Sequence, residues 1–159
     1  MAKMLVCYCS RTKHTEHMAE VIGKAAASVA GVHVDVLPTG KVATRDLLTY
    51  DAILLGSPVF YGTMAAEMKQ FIDESVVLHG QLTGKVGGAF ASGGNIAGGN
   101  ETTILSLLCA LMIHGMIVQG TNSGDHYGPV AIGDLDERSR QQCHAYGERL
   151  ARLADKLHG

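Results

Sequence analysis

The sequence predicts an α/β fold, a doubly wound sheet of five parallel strands with helices on both faces, and three observations predict it. Short apolar runs alternate with longer stretches of helical periodicity in the order βαβαβαβαβα. The runs are apolar throughout, the signature of strands covered on both faces. Hydrophobic residues make up 47% of the chain against 18% charged, and the mean hydropathy of +0.14 suits such a sheet. Right-handed crossovers then place the helices. The 159 residues fit one domain, 1–159, with no internal repeat and no linker.

Each element has its own signal. Lys3 to Cys9 is an apolar run that ends at Ser10, and Thr15 to Ala30 places Met18, Val21, Ile22, Ala25, Ala26 and Val29 at helical spacing. Gly31 supplies a helix stop. Val32 to Leu37 alternates Val32, Val34 and Val36 with His33 and Asp35, which predicts a half-buried strand at a sheet edge. A short helix over Thr44 to Thr49 leads to the third strand, Ala52 to Leu55, which ends in Gly56-Ser57-Pro58. The next helix turns Met64, Met68, Phe71 and Ile72 inward and Glu67, Lys69, Asp73 and Glu74 outward. Lys85 to Ala91 is the fourth strand. A glycine-rich segment then opens onto a helix carrying Ile104, Leu107, Leu108, Leu111 and Met112, with Asn100 as its N-cap. Met116 to Gln119 is the fifth strand and Gly120 to Asp134 a long loop. Asp136 to Leu157 is a final helix with Cys143, Leu150, Leu153 and Leu157 inward.

Charge and cysteine usage narrow the function. A net charge of −2 and a pI near 6.4 give no electrostatic footprint for nucleic acid and no basic helix for a membrane surface, so the expected ligand is a small molecule. No apolar run reaches the ~18 residues that span a bilayer, and MAKMLVCYCS lacks a signal-peptide layout, which predicts a cytoplasmic protein. Cys7 and Cys9 share one strand face, and they, like Cys109 and Cys143, read as free thiols. His14 and His17 stand about one helical turn apart, but no further ligand types fall nearby. They read as polar groups at a helix start, and no metal is expected.

In open α/β sheets ligands bind outside the carboxyl ends of the strands, so the loops after the first, third and fourth strands carry the functional argument. The first, Ser10-Arg11-Thr12-Lys13-His14-Thr15, offers hydroxyls and the free N–H groups of a helix N-terminus, which suit a phosphate. The plainer reading is a capping loop. There is no G-x-x-x-x-G-K-[ST] and no G-x-G-x-x-G after the first strand, which removes ATP, GTP and a primary dinucleotide site. The second, Ser57-Pro58-Val59-Phe60-Tyr61-Gly62-Thr63, sets two aromatics beside a glycine. They either cap the core or flank a flat ring that backbone at Gly62 can approach. The third contains Ser92, Gly93, Gly94, Asn95, Gly98 and Gly99. It is either a surface lid or a backbone floor against a ligand. A phosphate cradle, an aromatic wall and a glycine floor together describe a flavin mononucleotide site.

The letters then resemble a known family. CYCSRTKHTEHMAEVI resembles the phosphate loop of flavodoxins, and GSPVFYGTMAAEMKQFID resembles the flavin loop of NAD(P)H:quinone oxidoreductases of the WrbA type. GGNETTILSLLCALMIHGM and DHYGPVAIGDLDERSRQQCHAYGERLARLADKL are similar to that family as well, so the match covers nearly the whole chain. The resemblance implies the flavodoxin-like strand order 2-1-3-4-5 and bound FMN. It implies a phosphate on Ser10 to Thr15, a ring against Pro58 to Gly62 and a polar edge near Ser92 to Gly94. His114 falls where the family places a histidine close to the flavin, sometimes from a neighbouring subunit. Read alone, His114 is a helix-end or interface residue. Tyr127 either packs its loop or donates a hydrogen bond to the flavin or acceptor. Two departures are visible: the chain lacks insertions that help build the family's tetramer, leaving a homodimer or a homotetramer open, and Lys13 stands where the family commonly has glycine.

The resemblance implies two-electron transfer from NAD(P)H through FMN to a quinone or similar acceptor. The alternative is a flavodoxin-type carrier reduced by a partner reductase. Carriers of that kind are strongly acidic, whereas here the second loop holds no acid and Arg11 and Lys13 flank the phosphate loop, which favours the reductase. A flavin-binding regulatory protein and a chain that kept the fold without the cofactor are the remaining readings.

Overall fold

The run Ala2–Tyr8 (β1) is apolar on both sides because helices cover both sides. Leu5 and Cys7 point into one core and Met4, Val6 and Tyr8 into the other. The computed structural model describes residues 1–159. It continues through α1 (His14–Ala27), β2 (Val32–Pro38), a 3₁₀ turn over Thr44–Thr49, β3 (Ala52–Phe60), β4 (Thr63–Met64) and α2 (Ala66–Glu74). There follow β5 (Val86–Gly93), α3 (Asn100–Ile113), β6 (Ile117–Val118), β7 (Val130–Ile132) and α4 (Glu137–His158).

The strands run in the order β2-β1-β3-β5-β6, with parallel pairing along that path. This is the 2-1-3-4-5 order of the sequence reading, with two short strands added: β4 antiparallel to β3, and β7 parallel to β5. The cores hold 21 and 19 buried residues, so neither face of the sheet is left open. Cys143 and Leu150 of α4 are fully buried in the second. No helix is long and apolar enough to cross a membrane.

Five expectations need correction. Met64, expected on the inner face of the helix, is buried in the short strand β4, and α2 starts only at Ala66. β7 lies inside the segment Gly120 to Asp134 expected to be loop; three residues between Pro129 and Gly133 carry too little periodicity to show. The third strand runs on from Leu55 to Phe60, because β1 ends opposite Gly56 and Pro58 has no neighbour on that side needing its missing N–H. The cap of α3 is Gly99 in the left-handed region, and Asn100 is the first helical residue. Leu157, in the last turn of α4, is 45% exposed.

Candidate active site at the carboxyl edge of the sheet

Three loops meet where β1, β3 and β5 end. After Cys9, whose N–H is held by Gly56 O at 3.0 Å, the chain turns through Ser10 to Lys13 into α1. Lys13 adopts φ 69° and ψ −4°, a left-handed conformation in which glycine is unstrained and a side chain costs ~1 kcal/mol or more. The glycine that the family resemblance implies at this position would be free of that strain. The N–H groups of Thr12, Lys13, His14 and Thr15 meet no protein acceptor, while the Glu16 N–H reaches Ser10 Oγ at 3.4 Å. Consecutive free amides at the positive end of a 14-residue helix form an anion cradle. Thr15 is buried, its Oγ1 2.7 Å from the buried Ser92 Oγ, which ties the first loop to the third. Arg11, Thr12 and Lys13 are exposed; His14 is half-buried, with Nδ1 3.1 Å from Asp134 Oδ1.

In the second loop Ser57 is fully buried and its hydroxyl is fully used. It accepts the Ala65 N–H at 2.9 Å, receives the Cys9 thiol at 3.7 Å and donates to Pro58 O at 2.8 Å. Ser57 therefore shapes the strand exit rather than presenting a hydroxyl to the crevice, a correction to its expected role. Beyond the half-buried Pro58 and Val59, Phe60 and Thr63 pair across a two-residue turn. Tyr61 (φ 47°) and Gly62 (φ 82°) give the backbone of a type I′ connection, with the Tyr61 side chain fully exposed at its tip.

The two aromatics do not act alike. The Arg11 guanidinium lies 4.4 Å from the Phe60 ring centroid and pairs with both oxygens of Glu67, at 2.9 and 3.0 Å. Phe60 thus has a face occupied, and Arg11 is neutralised by an acid in the first turn of α2. Glu67's own backbone N–H and the Arg11 guanidinium hold that carboxyl below its usual range. Glu101, Asp125, Asp134 and Asp136 also border this edge. The surround is more acidic than the second loop alone indicated.

The third loop crosses to the second through close backbone approach. A Cβ on Gly99 (φ 111°) would fall 2.5 Å from Gly62 Cα, and Thr102 Oγ1 donates to Gly62 O at 2.6 Å. The N–H groups of Gly94, Asn95, Ile96 and Ala97 have no protein acceptor. Gly94, Asn95 and Gly98 are exposed, and Gly93 is half-buried. Beside this loop lies a cavity of about 490 Å³, walled by Ile96, Asn100 and Ile104 on one side and by the exposed Tyr127, Val130 and Ile132 on the other. Arg138 braces its far wall, at 2.7 Å from both Asp125 Oδ1 and Val130 O. Glu67, Asn100, Thr102 and Arg138 are site residues that sequence reasoning missed; Glu67 and Thr102 serve loops 56 and 40 residues away, which no local pattern reports.

His114 is not brought to these loops within one chain. It caps the other end of α3, about 20 Å from Asn100 at 1.5 Å per residue. Its Nε2 lies 2.8 Å from Ser75 Oγ, whose hydrogen goes to Ile72 O at 2.6 Å, so Nε2 is assigned the donor role. Burial, with help from His79, lowers its pKa. The thiols near the crevice are inert: burial, and then Cys9, push Cys7 up to about 12, and burial raises Cys9. No cluster of three His, Cys, Asp or Glu side chains is placed to hold a metal ion.

A free-amide cradle, an exposed aromatic at a tight turn and a row of unpaired amides on a glycine loop fit a phosphorylated flat heterocycle, FMN. The comparisons agree. The family described as NADPH-dependent FMN reductase matches residues 39–126, more than half of the chain. A flavodoxin of Aquifex aeolicus is 36% identical over 95% of this chain and 86% of its own. An NAD(P)H dehydrogenase (quinone) of Archaeoglobus fulgidus is 34% identical, covering 99% of this chain and all of the relative. That alignment runs over 190 positions against 159 residues, so the relative carries segments this chain lacks. The structure of a flavodoxin from the domain Archaea superposes with a TM-score of 0.81 at 29% identity, covering 96% of this chain and 98% of that one. The chain belongs to the NADPH-dependent FMN reductase family, among the flavodoxin-like FMN-binding proteins.

Proposed function

We propose that the chain is an FMN-dependent oxidoreductase that moves electron pairs from NAD(P)H to a quinone or similar small acceptor in the cytoplasm. The observation that carries this reading is the cavity of about 490 Å³ beside the glycine loop, which gives a small substrate room at the edge where the cofactor belongs. Bound FMN supplies the hydride and electron chemistry that no side chain here can supply. The residues hold and shield it: the amides of Thr12 to Thr15 with the Ser10 and Thr12 hydroxyls receive the phosphate. Tyr61 and the Pro58–Gly62 turn face the ring, and the amides of Gly94 to Ala97 meet its polar edge. Ile96, Ile104 and Tyr127 would line the place of the acceptor. His114 would reach a flavin only from a second copy of the chain, and the exposed Met112 and Ile113 beside it suit a dimer or tetramer contact.

A second reading, a carrier reduced by a partner reductase, is favoured by the acids at this edge, above all by Glu67 cancelling Arg11. Mixing the FMN-loaded protein with NADH or NADPH and benzoquinone separates the two. The reductase gives sustained turnover with parallel double-reciprocal lines. Flavin reduced only when a partner reductase is added would overturn it.

A further inference from the structure

We propose that Asn100 is a flavin contact, its Oδ1 accepting a hydrogen bond from the imide N–H of the isoalloxazine; the inference rests on the FMN reading above. Asn100 is 2% exposed, and its Nδ2 donates to Asn95 O at 3.1 Å. That bond fixes the amide's orientation, since the flipped form would set two oxygens against each other. The Oδ1 atom is then buried with no donor. It packs against Gly93, where a Cβ would overlap it, so a side chain at 93 would displace this acceptor.

A buried acceptor without a donor is a standing cost that a ligand hydrogen removes. The neighbours of Oδ1 say what kind of ligand. The unpaired N–H groups of Gly94 to Ala97 lie on the same loop, so the site offers backbone donors together with one acceptor. The imide edge of a flavin has the complementary pattern, a carbonyl, an N–H and a second carbonyl. Asn100 also borders the cavity of about 490 Å³, so the residue that carries this enclosed acceptor stands at the edge of the space open to a ligand.

The test is a fluorescence titration of the apoprotein with FMN and with FMN methylated at N3, which keeps the phosphate and the ring but loses the donor. The native protein is expected to bind the methylated flavin about tenfold more weakly, or worse. Asn100→Leu removes the acceptor at similar size and is expected to bring the two flavins to within about twofold. Equal binding of both flavins by the native protein overturns the proposal without reference to any variant, as does full discrimination by a folded Asn100→Leu; either leaves the FMN reading standing. Failure to bind either flavin overturns both.

Discussion

The two edges of the sheet use the same backbone chemistry in opposite ways. At the amino edge the connecting segments hydrogen-bond to one another. The Asp51 N–H goes to Lys3 O at 2.7 Å, the Val86 N–H to Asp51 O at 2.8 Å and the Ile117 N–H to Lys85 O at 2.8 Å. The Asp51 carboxylate accepts the Lys3 N–H, and the Gly84 N–H is closed by Gly115 O. At the carboxyl edge the amides of Thr12 to Thr15 and of Gly94 to Ala97 find no protein acceptor, and Asn100 Oδ1 finds no donor. The Asn100 acceptor is buried, where such groups are rarely left unpaired, whereas most of the loop amides belong to exposed residues and are open to water or a ligand. One edge is finished by the protein; the other leaves donors and an acceptor for a ligand to complete.

Substitutions at the open edge should move ligand affinity and stability together. The largest effect is expected at Gly99→Ala, which strains a φ of 111° and drives a Cβ into Gly62. Urea unfolding should show a loss of about 1–3 kcal/mol, and FMN affinity should fall about tenfold as the two loops separate. Lys13→Gly relieves the left-handed strain at the mouth of the cradle and should stabilise the apoprotein by about 0.5–1 kcal/mol in the same assay. Unchanged stability would mean that Lys13 is not held at φ 69° in solution. Arg11→Ala breaks a pair whose partners are each about half exposed, so its cost should stay under about 1 kcal/mol and shrink further in salt.

The closed edge should respond to pH instead. His114 has a folded pKa below its usual value near 6.5, so the native state favours the neutral ring. Its contribution to stability is therefore complete above about pH 6.5 and is lost as pH falls through the lower folded value. Urea midpoints taken from pH 7.5 down to 5.5 should fall less steeply for His114→Gln than for the native chain. Identical slopes would remove the histidine from the account.

Much of this contrast was legible in the sequence, and the reasons are physical. Helix positions, the main strands and the three loops follow from apolar runs, helical spacing and glycine placement, which are local signals, whereas the strand order came from the family resemblance. Lys13 stood out in the sequence as a departure from an expected glycine, but its left-handed backbone is visible only in the structure. What escaped was set by distant pairing. Glu67 looked like an outward helix residue, yet it sits on Arg11, 56 residues away, and cancels the cation on which the charge argument rested. Ser57 stood in the expected flavin loop, yet its hydroxyl is consumed by Ala65, Cys9 and Pro58. Asn100 read as a cap because its residue type favours caps, but the left-handed Gly99 takes that place and frees the amide for the loop. β7 escaped because three residues pair only where β5 has already been laid down.

The most direct test of the open edge is to follow backbone ¹⁵N–¹H resonances of the apoprotein as FMN is added. The account predicts the largest shifts at Thr12 to Thr15 and at Gly94 to Ala97, with Gly84, Val86 and Ile117 at the amino edge unmoved. Saturable shifts confined to the amino edge, or none at either, would contradict it.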